Sequence, residues 1–127
     1  WSQENDMRLN ATKPKELMIS FAKSDPGASN VIVGGAEVER VDQCTLLGLI
    51  ISNTLTWDLH CQKMLKKANT RLFFLKQLKR AKVAPSDILG TFLAIVRPVL
   101  EYACQVWHPG LSIEQHEELE KIQERAV

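Results

Sequence analysis

The sequence predicts an α+β fold: a segment of short strands and β-hairpins, then an α-helical bundle. Three observations predict it. Short apolar runs and glycine-centred turns crowd the first fifty or so residues, the pattern of tight hairpins. After Asn53, apolar residues recur at three- and four-residue intervals, the period of an amphipathic helix. The charge is also unevenly spread. Leu59–Ser86 holds eight Lys or Arg and no Asp or Glu, whereas residues 1–58 hold five basic and eight acidic side chains and residues 87–127 three and seven. A net charge of +1 therefore hides a local cationic block, the electrostatic footprint of a phosphate-bearing partner.

Taken in order, Trp1–Leu9 reads as the end of a helix. Asn10–Pro14 is a turn, because Pro14 cannot continue a helix. Glu16–Ala22 is a strand candidate with Leu17, Ile19 and Phe21 on one face, and Lys23–Asn30 is a loop. Val31–Val33 and Ala36–Val41 flank Gly34-Gly35, a two-residue hairpin signal. Thr45–Ile51 reads as a buried strand with Gly48 inside it, marking a bulge or a close backbone approach. The long helix follows, with Thr56 as its cap and Asp58 in its first turn. Cys61, Met64, Leu65, Ala68, Leu72 and Leu75 lie within about 100° of one another. Lys79 and Lys82 would drift onto that stripe, so the regular helix ends near Leu78–Arg80. Ser86 can cap a second helix, Asp87 to about Val96, which Pro98 interrupts or kinks. Val99–Trp107 resumes helical spacing until His108-Pro109-Gly110 ends it. Ser112 and Gln115 form a capping-box pair for a last helix from Ile113, which is still running where the sequence stops.

Length and composition bound the function. The 127 residues make one domain or pieces of two. The opening Trp1, rather than a Met, suggests a fragment of something longer. No run of 18 apolar residues exists, so no membrane partner is expected. Three cysteines at scattered positions, Cys44, Cys61 and Cys104, favour free thiols and an intracellular location, nucleus and cytoplasm not being distinguished. No metal is expected: Cys104 and His108 are four apart and His60 adjoins Cys61, but no further ligand has metal-site spacing. Gly-rich phosphate loops and nucleophile–base constellations are absent. Trp57, Tyr102 and Trp107 sit at helical spacing and read as core rather than as stacking platforms.

The candidate site is the polar face of the long helix. Lys63, Lys66, Lys67 and Arg71 project opposite the apolar stripe, and Phe74 lies beside Lys67 and Arg71. An aromatic ring among cations can lie against sugars and bases. The structural alternative is a solvated basic face with Phe74 covered by a neighbouring element.

The order of short motifs resembles a known family. Trp1…Asn5-x-Met7-x-Leu9-Asn10-x-x-Lys13 resembles the segment after the catalytic loop of non-LTR (LINE-type) retrotransposon reverse transcriptases. Leu46-Leu47-Gly48 with Ile50 is similar to their primer-grip hairpin, and Leu55-x-Trp57-x-x-His60 to the opening of their thumb. Lys67-Ala68-x-x-Arg71-Leu72-x-x-Leu75 resembles the basic thumb helix. Arg97-Pro98-x-Leu100-Glu101-Tyr102-Ala103-x-x-Val106-Trp107 and Leu119-Glu120-x-Ile122-Gln123-x-Arg125-Ala126 resemble the segments that follow. The resemblance implies the end of a palm domain in residues 1–53 and a helical thumb in residues 54–127, truncated at its C-terminus. It implies an RNA template and an RNA–DNA duplex as partners, together with the remainder of the palm upstream. Lys13 becomes a possible auxiliary proton donor. Mg²⁺ is expected for the full-length enzyme, and no cofactor for this fragment. No Asp-Asp pair occurs in the chain, so the metal-binding aspartates of that chemistry are missing and the fragment alone is expected to be inactive. Thr45-Leu46 also stands where the family has a Lys and an aromatic. The alternatives are a helical protein-interaction module and an inactive transposon remnant.

Overall fold

The computed structural model describes residues 10, 13–23, 27 and 29–126. It is α+β, as the sequence predicts, and divides into two compact units, Trp1–Thr56 and Trp57–Val127. The helix end expected over Trp1–Leu9 lies outside the described residues.

Among the described residues the first unit is built from six short strands in three two-stranded pairs. β1 (Lys15–Glu16) runs parallel to β4 (Glu39–Arg40). Glu16 anchors this pairing: its carboxylate takes Arg40 at 3.2 Å and its carbonyl accepts the Val41 N–H at 2.8 Å. β2 (Ile32–Val33) and β3 (Ala36–Glu37) form the expected hairpin across Gly34-Gly35. Both glycines have positive φ, 60° and 82°, the geometry that a two-residue turn matching strand twist requires.

Two strand expectations need correction. Of Glu16–Ala22 only Glu16 is in a strand, and Leu17–Ala22 is irregular, with Phe21 84% exposed. Alternating apolar residues form a strand only where an edge pairs with them, and here the pairing stops at Glu16. Thr45–Ile51 is likewise not one strand. It contributes to β5 (Gln43–Leu46) and β6 (Leu49–Ser52), an antiparallel hairpin closed by Leu47-Gly48 at φ 49° and 85°. Gly48 is thus a turn residue rather than a bulge within a strand. The turn was disguised because a leucine, not a second glycine, takes its left-handed first position.

The second unit is an up-down-up bundle of three helical passes. The first is α1, Asp58–Arg80, 23 residues ending where the charge pattern predicts. Its start departs from expectation. Trp57 is the N-cap residue, and no side chain caps the helix. The Thr56 hydroxyl instead lies 3.3 Å from that of Ser52 and 3.2 Å from that of Thr54, which draws it away from the helix N-terminus.

The second pass is α2 (Pro85–Thr91), a π-helical turn (Phe92–Val96) and α3 (Arg97–Glu101), running without a break. Pro85 occupies the first turn, where its missing N–H costs nothing, so the helix starts before the expected Ser86 cap. Pro98 does not interrupt the pass. A proline inside an α-helix removes one hydrogen bond and crowds the preceding turn. The wider π turn lies directly upstream and accommodates it. The break comes later, at Tyr102–Ala103, where Ala103 adopts φ 50° before α4 (Cys104–Trp107) and a 3₁₀ turn (His108–Gly110). The expected continuous segment Val99–Trp107 is therefore two short helices.

The third pass, α5 (Ile113–Ala126), opens with the capping box read from the sequence. The Gln115 N–H donates to the Ser112 hydroxyl at 3.3 Å, and the Gln115 side chain accepts from the Ser112 N–H at 2.9 Å. The passes bury one shared core: Cys61, Met64, Ala68, Leu72 and Leu75 from α1, Val96 and Leu100 from the second pass, Trp107 from α4, and Leu119 and Ile122 from α5. Leu65, expected with them, is only half-buried.

Candidate nucleic-acid interface

The apolar stripe of α1 fixes which residues face outward. Because that stripe is buried against the second and third passes, Lys63, Lys66 and Lys67 are driven to the exposed side. Lys76, Lys79 and Arg80 are also exposed. Among the described residues no carboxylate forms an ion pair with Lys63, Lys66 or Lys67. Thr70 lies on this face as well. Its hydroxyl donates back to the Lys66 carbonyl at 3.0 Å. Phe74 is 56% exposed, as is Phe73, with their ring centroids 6.2 Å apart and their planes at 69°. Among the described residues no element buries Phe74.

Arg71 stands apart from the other expected contacts. It is half-buried, and its guanidinium donates to the Ile95 carbonyl within the π turn. This couples α1 to the second pass at the level where Pro98 has disturbed regular helix bonding. The side chain acts as a strut between helices while the three lysines remain outward. Only Pro98 hinted at this in the sequence, and a proline does not say which side chain will meet the disturbed turn.

At the start of α1, an aromatic cluster stabilises the junction of the passes. The Trp107 ring is fully buried, its indole N–H donating to the Tyr102 carbonyl at 2.8 Å. The ring lies 5.7 Å from His60, which in turn meets the edge of Trp57 at 6.1 Å. Burial, reinforced by the nearby Lys63, pushes the His60 pKa below its ordinary value. Burial also raises the pKa of the Cys61 thiol, with Glu118 and then Asp58 adding to the effect. His108 and His116 meet edge to face at 4.4 Å. Among the described residues no group of three or more His, Cys, Asp or Glu could hold a metal ion. Of the three aromatics expected in the core, Trp107 is buried, Trp57 is half-buried and Tyr102 is 55% exposed.

Lys13 is exposed on a bend whose N–H bonds the Asn10 carbonyl at 3.3 Å. Leu46, Leu47 and Gly48 form the tip of the β5–β6 hairpin, with Leu47 81% exposed. Both groups belong to the first unit, and α1 to the second. No helix among the described residues is long and apolar enough to cross a membrane.

A family model described as "Alkylated DNA repair protein alkB homolog 8, N-terminal" matches residues 57–93. The matched stretch runs from Trp57 through α1 and α2 into the π turn, under a third of the chain, and so marks a likeness of this helical segment. No curated protein and no solved structure matches the chain. The match overturns the resemblance to LINE-type reverse transcriptases, because the stretch that carried the basic thumb-helix motif matches a different family model. The polymerase and retrotransposon reading is withdrawn. Lys13 and Leu46–Gly48 lose the roles borrowed from it.

Proposed function

We propose that residues 57–127 form a non-catalytic helical interaction module that binds RNA through the outward face of α1. The observation that carries this reading is the set of exposed, unpaired cations Lys63, Lys66 and Lys67, in a stretch of the chain without a single carboxylate. A helix that binds a protein surface ordinarily interleaves Glu with Lys. A helix whose cations face solvent without acidic neighbours is suited to the phosphate backbone. The name of the matched family, a DNA-repair protein, agrees with a nucleic-acid setting without specifying the ligand. In the proposed role the three lysines supply sequence-independent attraction, the buried stripe holds them on a rigid helix, and Arg71 keeps that helix fixed to the second pass.

The test is a titration of fluorescently labelled RNA, single-stranded or duplex, followed by anisotropy at several salt concentrations. The triple variant Lys63→Gln, Lys66→Gln, Lys67→Gln should bind more weakly. Its slope of log K against log[salt] should be shallower by roughly two to three units, since each lost phosphate contact removes a little under one. Gln keeps good helix propensity, so the circular dichroism spectrum should be unchanged. Equal salt slopes for two folded proteins would remove this face as the RNA surface. Protein docking would then be the reading to pursue, favoured by exposed Tyr102 and Val106.

A further inference from the structure

We infer that the α1 face selects unpaired nucleic acid over duplex, with Phe73 and Phe74 acting as a stacking pair for exposed bases. The inference rests on the RNA-binding reading above and narrows its ligand.

Two adjacent phenylalanines, each 56% exposed, lie in the C-terminal half of α1, the most cationic helix among the described residues. An exposed phenyl ring forgoes the free energy that burial would supply, and two together mark a contact surface. Their position on the helix indicates the kind of contact. Phe73 follows Lys66 by seven residues and Phe74 follows Lys67 by seven, two helical turns and about 10 Å along the axis. Lys76 and Arg80 lie beyond the rings and are exposed. Cations therefore flank the aromatic pair on both sides.

A single strand laid along such a face can place phosphates on the lysines at either end and turn its bases onto the rings between them. The two rings meet edge to face rather than stacked. Their planes stand at 69°, so together they offer differently oriented platforms to successive bases. A duplex cannot use them this way. Its bases are stacked on one another, and in an RNA helix the major groove is too deep and narrow for side chains to read. Against a duplex the lysines would still find phosphates, but the rings would contribute little.

The experiment uses the full chain and two labelled ligands, every strand 5′-phosphorylated so that the phosphate number is equal: an unstructured twelve-nucleotide oligouridine and a six-base-pair RNA duplex. A single-stranded DNA of the same length runs as a third arm. The expected result is tighter binding of the single strand than of the duplex, by about tenfold or more. Phe73→Ala with Phe74→Ala should reduce single-strand affinity by at least about fivefold per ring, the low end for one lost base stack. Duplex affinity and both salt slopes should stay unchanged, because stacking releases no counterions. Replacing both rings by Trp should restore or strengthen single-strand binding. Equal wild-type affinity for the two RNAs, or a double-alanine variant that binds the single strand as well as wild type, would overturn the inference while leaving the lysine face intact. Loss of both ligands in the lysine variant together with unchanged binding in the alanine variant would mean phosphate contact alone, and would also overturn it. Binding of neither ligand by wild type would instead refute the RNA reading itself. Comparable affinity for DNA and RNA single strands is expected, since nothing on this face is built to read a 2′-hydroxyl.

Discussion

Arg71→Gln separates the structural cation on α1 from the ligand-facing ones. The Arg71 guanidinium donates to the Ile95 carbonyl, 24 residues away, and the side chain is half-buried. Hydrogen bonds to a charged group are worth about 1.5–3 kcal/mol when buried. Partial exposure reduces that, and the expected loss is about 1 kcal/mol. The helical unit has roughly 70 residues. At about 2.1 cal/mol/K per residue its unfolding entropy is about 0.15 kcal/mol/K, so 1 kcal/mol corresponds to about 7 °C in Tm. Thermal unfolding followed at 222 nm should show a drop of that order for Arg71→Gln and nearly none for Lys67→Gln, which has no structural partner. RNA salt slopes should show the opposite order: close to one unit lost for Lys67→Gln and almost none for Arg71→Gln at a temperature where both are folded. If Arg71→Gln melted with wild type and lost a unit of salt slope, the strut assignment would be wrong and Arg71 would rejoin the lysines.

Three further outcomes follow from the aromatic junction. The His60 pKa is lower in the fold than in the unfolded chain, so the unfolded state binds its proton first. The stabilisation is fully present above the ordinary histidine value near 6.5 and is lost as pH falls through the folded value; denaturant titrations should show the helical unit weakening below about pH 6.5, and His60→Gln should flatten that dependence. The Cys61 thiol is 1% exposed with a raised pKa, so iodoacetamide at pH 7.5 should leave it unmodified in the native protein and alkylate it in denaturant, as peptide mass spectrometry would report; native alkylation would contradict the packing. At Gly110 an added Cβ would stand 2.7 Å from Trp57 Cδ1, so Gly110→Ala should destabilise by about 1–3 kcal/mol, and an unchanged denaturation midpoint would show that Trp57 can move aside.

What the sequence revealed depended on whether each signal was local. Gly34-Gly35 declares its turn because two adjacent glycines take the positive φ of a tight hairpin turn without strain, and the α1 stripe declares itself through six regularly spaced apolar residues. The Ser112–Gln115 box is equally local. Leu47-Gly48 was missed because leucine gives no warning of a left-handed backbone, and Ala103 at φ 50° gives none either. The partner of Arg71 depends on how a proline 27 positions later distorts a different helix. The misassigned family has a physical explanation too. Leu72, Leu75, Leu100, Trp107, Leu119 and Ile122 supplied much of the motif pattern, and all six are buried core residues of this bundle. Their spacing is what three packed helical passes require.

The capping region at the start of α5 has an electrical consequence. The Gln115 side chain donates to the Asp58 carboxylate at 2.7 Å, so α1 and α5 start side by side and run in the same direction. Parallel helices bring two positive dipole ends to one level, each equivalent to about half a unit charge. Asp58 and Glu114, in the first turns of the two helices, offset both. At the far end of α1, Lys79 and Arg80 in the last turn offset its negative pole. Both ends of α1 are thus compensated over short distances that mobile ions barely disturb. The lysines on the flank of α1 have no such compensation, and their pull on a ligand extends into solvent, where added ions weaken it within about 10 Å at 0.1 M salt. The same helix therefore carries two electrostatic systems of different range. Salt should release a bound polyanion well before it loosens the scaffold, giving a reversible grip with no conformational change.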